Sequence, residues 1–213
     1  NVSLIGISAG ISYGQLGSTH HSIHDFATLR AINNMTIVAP ADNFEASEAI
    51  KQSISYNHPV YIRYGKKPMM DIHPSGTEFK IGKSIVVKKG EDLTIVATGE
   101  TLQRAYLASE ILKESNIHCS IISMHTIKPF DKKTFIEFSK NSKAILTVEE
   151  HSIFGGLGEC CASLIAQNNI NVKLKILGIP DEYMINGSQA DVLDHYDMSP
   201  EKIAKISKDL LNK

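Results

Sequence analysis

The sequence predicts an α/β protein made of two parallel-sheet units in series. Three observations carry that expectation. Short apolar runs at residues 2–7, 35–40, 59–63, 93–97, 119–122, 144–148 and 172–176 read as strands bounded by polar or turn-forming residues. Segments with apolar residues at helical spacing lie between them, and strand–helix–strand alternation implies right-handed crossovers and a parallel sheet. Residues 66–77 contain Pro68, Pro74 and Gly76 with little periodicity, and so divide the series in two.

Taken in order, residues 2–7 read as a buried strand. Gly14 and Gly17 then give a permissive turn, and His20 and His21 follow. Ser22 with Asp25 three residues on, ahead of Phe26, Ala27 and Leu29, reads as a capped helix start. The loop therefore presents His20 and His21 just before a helix N-terminus, whose free N–H groups favour anions and oxyanions. A neutral imidazole there can donate or accept a proton near neutral pH. After the strand at 35–40, Asp42 caps a second helix with Glu45 as its reciprocal partner, and Ala46, Ala49, Ile50 and Ile54 form the expected buried face. The strand at 59–63 ends in Arg63, with Lys66 and Lys67 just beyond. Sites in parallel sheets lie past the carboxyl ends of the strands, so the His20 loop and Arg63 are expected to face one crevice. The planar guanidinium of Arg63 suits phosphate recognition.

In the second unit, residues 79–88 read as an entry strand or a hairpin arm. Thr101 starts a helix with the face Leu102, Ala105, Ala108 and Leu112. Phe130, Phe135 and Phe138 mark a short helical segment, and the helix after Gly155-Gly156-Leu157-Gly158 buries Cys161, Leu164 and Ile165. Pro200 opens the last helix, with Ile203, Ile206 and Leu210 as its stripe. Glu149-Glu150-His151-Ser152 lies at a strand end ahead of the glycine run. A turn that lets helix and strand pack, with the glutamates solvated or capping, is favoured there over a ligand contact.

Composition narrows the function. The 213 residues are 42% hydrophobic and carry a net charge of −1, which argues against nucleic-acid or membrane-surface partners. No run approaches the roughly 20 apolar residues of a membrane span. Cys119, Cys160 and Cys161 form no CxxC pair, which fits a reducing, cytoplasmic setting and supports no disulfide framework or zinc knuckle. His20, His21 and His24 lack metal-ligand company, and the common phosphate-loop and nucleophile-elbow motifs are missing. A strand at the very start, with no initiator Met and no basic leader, leads us to expect a missing upstream segment.

The stretch Ala9-Gly10-Ile11-Ser12-Tyr13-Gly14-Gln15-Leu16-Gly17-Ser18-Thr19-His20-His21 resembles the transketolase family of thiamine-diphosphate enzymes. So do Leu29-Arg30, Asn34-Met35, Ala39-Pro40-Ala41-Asp42, Pro59-Val60-Tyr61-Ile62-Arg63, and Val148-Glu149-Glu150-His151 with the glycine run after it. The resemblance implies an incomplete pyrimidine-binding domain at 1–67, a linker at 68–78 and a transketolase C-terminal domain at 79–213. The implied enzyme is a transferase that moves a two-carbon ketol unit from a ketose phosphate to an aldose. It uses thiamine diphosphate and magnesium, whose family ligands have no counterpart in this chain, so the chain alone is expected to be inactive. A homodimer, or a partner subunit carrying the diphosphate-binding domain, is implied. By resemblance His20 is the catalytic histidine at the sugar oxygens, Arg63 grips the sugar phosphate, and Ser8 and His21 belong to the substrate site. Ser8 stands in place of a histidine, Leu16 of an aspartate and His21 of a glutamine, which leaves the sugar open. A deoxyxylulose-phosphate synthase, a β-type 2-oxo-acid dehydrogenase subunit and a non-catalytic dimerisation module are the alternatives.

Overall fold

The computed structural model describes residues 2–212; Asn1 and Lys213 lie outside them. In the first unit the chain runs β1 (Ser3–Gly6), a 3-10 turn (Gly14–Thr19), α1 (Asp25–Arg30), β2 (Thr36–Val38), α2 (Asn43–Ile54) and β3 (Val60–Arg63). The second unit begins with β4 (Ile85–Lys88), β5 (Leu93–Ala97), α3 (Thr101–Glu114), β6 (Cys119–Ser123), β7 (Thr126–Lys128) and α4 (Lys132–Asn141). It ends with β8 (Ala144–Ser152), α5 (Leu157–Gln167), β9 (Lys173–Ile179), α6 (Gln189–His195) and α7 (Pro200–Asn212).

Two sheets result. The first has the order β1-β3-β2-β7 and the second β4-β6-β5-β8-β9. Within each, the strands joined by helical crossovers are parallel, while β7 pairs antiparallel with β2 and β4 antiparallel with β6. The first sheet thus takes its last strand from the second unit. The core follows the same plan: Phe26 and Ile37 pack in one cluster with Val96, Ile122, Phe135, Ile145 and Leu157. A larger cluster on the other face of the second sheet joins Leu93, Ile95, Leu102, Leu112, Ile121 and Leu146.

Three local expectations are corrected. The strand at 2–7 is not buried: β1 is an edge strand paired to β3 alone, and Ile7 beyond its end is 73% exposed. Of the expected apolar face of α2 only Ala49 is fully buried; it is buried together with Glu45 and Ser53, while Ile50 and Ile54 are exposed, Ile54 by 78%. The cause is Glu45, whose carboxylate accepts from Ala41 N (2.7 Å), from Ser123 Oγ (2.6 Å) and from His73 Nε2 (2.8 Å). That set of bonds turns the helix toward its own polar anchor. Asp42 does cap α2, accepting from Glu45 N at 2.9 Å. Helix α1 lacks the expected Ser22–Asp25 box; His24 is its N-cap and makes no side-chain capping bond. Asp25 is drawn away by Arg63 and Tyr61.

Candidate functional site

The loop between β1 and α1 leaves the carboxyl end of the first sheet and begins with a strained residue. Ser8 is buried and has φ +66°, a left-handed conformation that costs a non-glycine residue on the order of 1–3 kcal/mol. Gly17 takes the same hand (φ +71°) inside the 3-10 turn, where a Cβ would also collide with Asn186. The turn ends at His20, whose exposed ring meets Tyr13 edge-on with centroids 5.7 Å apart. Lys66 reaches in from beyond β3 and sets its Nζ 3.7 Å above the same Tyr13 ring. Hydrogen bonds from Ser8 and Lys66, with the Lys66 charge, hold the Tyr13 hydroxyl below the usual phenol range. Ser8, Tyr13, His20 and Lys66 therefore form one polar cluster at the strand ends. It opens on a cleft of about 400 Å³ lined by Ser12, Tyr13, Gly14, Lys66, Ser188 and Gln189. Past Lys66 and Lys67 lies a second cleft of about 380 Å³ beside Ala41, Asp42, Tyr64 and Glu100.

Arg63 stands elsewhere than the sequence led us to expect. Its side chain is 3% exposed. Nε donates to Asp25 Oδ2 at 2.8 Å, and Nη2 donates to the carbonyls of Ser22 (3.0 Å) and Glu150 (2.8 Å). The guanidinium also lies 4.6 Å over the Phe26 ring. It braces α1 and the second unit, while Lys66 supplies a cation that opens on the cleft. His21 turns inward: Nδ1 lies 3.3 Å from Met184 Sδ, Nε2 is buried without a partner, and burial lowers its pKa.

The Glu149–Ser152 segment is wholly buried. Glu149 accepts from the amides of Leu157 (2.6 Å) and Gly158 (2.7 Å), so it caps α5, and its burial raises its pKa to about 7. His151 stacks on Phe26, accepts from Ala27 N at 3.3 Å and donates from Nδ1 to the Ser152 carbonyl at 2.7 Å; burial lowers its pKa to about 4. The glycine run packs as a turn: a Cβ at Gly155 would strike Ala27, and one at Gly158 would strike Ile176. Among the described residues no group of three or more His, Cys, Asp or Glu side chains is placed to hold a metal ion. Glu45 and Glu149 are used up on main-chain and side-chain donors, and Glu150 is sealed behind the loop, so none of these three buried carboxylates is free to meet a cofactor ring nitrogen. The residues present do not fit a resident thiamine diphosphate. Tyr13 and Lys66 carry the cluster, yet the sequence singles out neither. Lys66 shows only as charge past a strand end, and Tyr13 gives no signal outside the family stretch.

This arrangement is a pair of α/β units with an open imidazole–phenol–ammonium cluster over the strand ends of the first. A solved structure, "Split gene transketolase, inactive beta4 tetramer", shares it with a TM-score of 0.91 at 27% identity, over 100% of this chain and 67% of that one. The pyrimidine-binding domain of transketolase matches residues 1–70 and the transketolase C-terminal domain matches 82–203. The chain belongs to the transketolase family, whose members depend on thiamine diphosphate. It is 38% identical over 214 residues to one of the subunits of the apulose-4-phosphate transketolase of Phocaeicola vulgatus, covering 100% of this chain and 68% of that protein. It is 40% identical over 207 residues to a putative transketolase C-terminal section of Methanocaldococcus jannaschii, covering 96% and 65%. The chain thus spans about two-thirds of the length of these relatives.

Proposed function

We propose that this chain is the substrate-side part of an enzyme that transfers a two-carbon ketol unit from a ketose phosphate to an aldose. The observation that carries this reading is the cluster of His20, Tyr13 and Lys66 at the strand ends, where Tyr13 and Lys66 line an open cleft and His20 packs against Tyr13. His20 contacts the sugar oxygens and moves protons there, Ser8 belongs to the same polar cluster, His21 backs the substrate loop from its inward position, and Lys66 attracts the sugar phosphate. Arg63 serves the same site from behind by fixing the strand end. Residues 1–67 are read as part of a pyrimidine-binding domain, 68–78 as a linker and 79–213 as the C-terminal domain. Thiamine diphosphate and its magnesium ion are held by a partner subunit or another copy in a dimer. Two relatives support a partner requirement: one is named as a subunit of its transketolase, and the other is a split-gene transketolase, inactive as a β4 tetramer. Three unpaired cysteines fit a cytoplasmic setting.

The test is reconstitution with the partner. Ketol transfer should appear only in the complex, and His20→Ala should lower kcat/KM by about 10²–10⁴ with folding unchanged. Acyl transfer from pyruvate without ketol transfer would overturn the reading, and so would unaltered turnover in His20→Ala.

A further inference from the structure

The cluster at the strand ends is held from behind by the second unit through one carboxylate. Glu150, 2% exposed, accepts from the Ile11 amide at 2.8 Å, and Ile11 lies between Ser8 and Tyr13 in the loop. Gln189 Nε2, at the start of α6, donates to the same Oε1 at 3.1 Å and to Glu100 Oε2 at 2.8 Å. Gly10 has φ +57°, and a Cβ there would strike the Glu150 side chain, so the loop backbone lies directly on the carboxylate. The Glu150 main-chain carbonyl meanwhile accepts from Arg63. Two oxygens in this group, Glu150 Oε2 and Glu100 Oε1, are buried without partners.

A neutral amide oxygen would also accept from the Ile11 N–H, and a buried charge is costly unless paired. Among the described residues no salt bridge reaches Glu150. What the charge adds is a stronger hold on one main-chain amide, since charge-assisted hydrogen bonds are roughly twice as strong as neutral ones. We propose that Glu150 is a positioning residue: its carboxylate clamps the Ile11 amide, and through it sets Ser8, Tyr13 and His20 over the cleft. The proposal rests on the ketol-transfer reading and adds to it a control exerted by the C-terminal unit.

The charged and titratable groups facing Glu150 come from three elements. Glu100 and Arg104 come from the start of α3, Arg63 from β3, and Gln189 from α6 shares its oxygen without charge. Burial first, then the Glu100 charge, raise the Glu150 pKa to about 7 against the pull of Arg63. The clamp is therefore charged above that value and neutral below it.

The experiment compares the reconstituted wild-type enzyme with Glu150→Gln, which keeps an oxygen for Ile11 N–H and loses the charge. We expect wild-type kcat to exceed that of Glu150→Gln about tenfold at pH 8, a modest misplacement of reacting groups. The ratio should shrink to about one at pH 6, where the wild-type carboxyl is protonated. Sugar KM should stay within about threefold because the cleft cation is untouched. In the isotope-labelled full chain, the Ile11 and Ser8 amide resonances should shift together around pH 7 in wild type and stay fixed in Glu150→Gln. A kcat ratio independent of pH, or amide titrations unaltered by the substitution, overturns the proposal. If the wild-type complex transfers no ketol unit from any donor, the functional reading falls, and the amide titrations still decide the clamp.

Discussion

Arg63 and Lys66 are three residues apart and do opposite work. Arg63 is enclosed by Asp25, two carbonyls and the Phe26 ring, so its removal leaves a nearly buried carboxylate with no counter-charge and only the Tyr61 hydroxyl, and takes a donor from two carbonyls. Arg63→Met should cost about 3–5 kcal/mol of stability in urea unfolding. Lys66→Met should stay within about 0.5 kcal/mol of wild type, since it removes only an exposed cation over Tyr13. In the reconstituted enzyme it should raise KM for phosphorylated sugars about tenfold or more and spare unphosphorylated donors. A stability loss in Lys66→Met as large as that in Arg63→Met would reverse these roles. His151 gives a pH-dependent case. Its folded-state pKa, about 4, lies below the ordinary 6.5, so its contribution is present above 6.5 and is lost as pH falls toward 4. The stability gap between wild type and His151→Gln should therefore shrink by up to about 3 kcal/mol between pH 7 and pH 4.

Elements differ in how plainly their sequences declare them, and the reason is physical. Strand β5, the first half of β8 and helix α3 are buried mainly through apolar side chains, so period and composition reveal them. Strand β7 has three residues and helix α6 seven, too few for a period to emerge, and both escape a reading of the sequence. Helix α2 misleads because its burial is decided by the bonds of Glu45, with partners 28 and 78 residues away, and no local pattern encodes them. The loop that carries His20 ahead of α1 was legible as a loop, because paired glycines are a local signal. The strained backbone of Ser8, the inward turn of Arg63 and the Glu150 clamp were not, since each depends on a long-range partner or a dihedral angle. The glycine run before α5 was legible as a packing turn, and that has a testable consequence. Gly155 has φ +72°, abuts Ala27 of α1, and offers its carbonyl to Arg30 Nη1. Gly155→Ala should destabilise by about 1–3 kcal/mol, measured by thermal or urea unfolding, and a neutral result would mean that α1 yields freely.

Across the whole molecule the two units are interlocked rather than strung together. Strand β7 completes the first sheet, and Glu45 of α2 holds both His73 of the 68–78 segment and Ser123 at the end of β6. Both the Glu45 and His73 side chains are inaccessible to solvent. Burial raises the Glu45 pKa, but the His73 bond, the charges of His125 and His73 and the Ser123 bond outweigh it, so the carboxyl lies below 4.5. Burial lowers the His73 pKa, but the Glu45 bond and the charges of Glu45 and Asp42 outweigh it, so the imidazole lies above 6.5. Burial pushes the His125 pKa down beside them. The Glu45 contribution is present above 4.5 and lost as pH falls through its lowered value. The His73 contribution is complete below 6.5 and lost as pH rises through its raised value. The pair is thus fully ionised and strongest between those limits. A double-mutant cycle with Glu45→Gln and His73→Gln should show its largest coupling at pH 5–6 and a smaller one at pH 9. Because this pair ties the 68–78 segment to both sheets, the wild-type chain should unfold in one transition. Glu45→Ala, which leaves the Ala41 amide and Ser123 hydroxyl without an acceptor, should cost about 3–5 kcal/mol and separate the unfolding of the two units. Coincident single transitions in wild type and Glu45→Ala, or a coupling that grows toward pH 9, would show that β2–β7 pairing and the shared apolar core alone join the units.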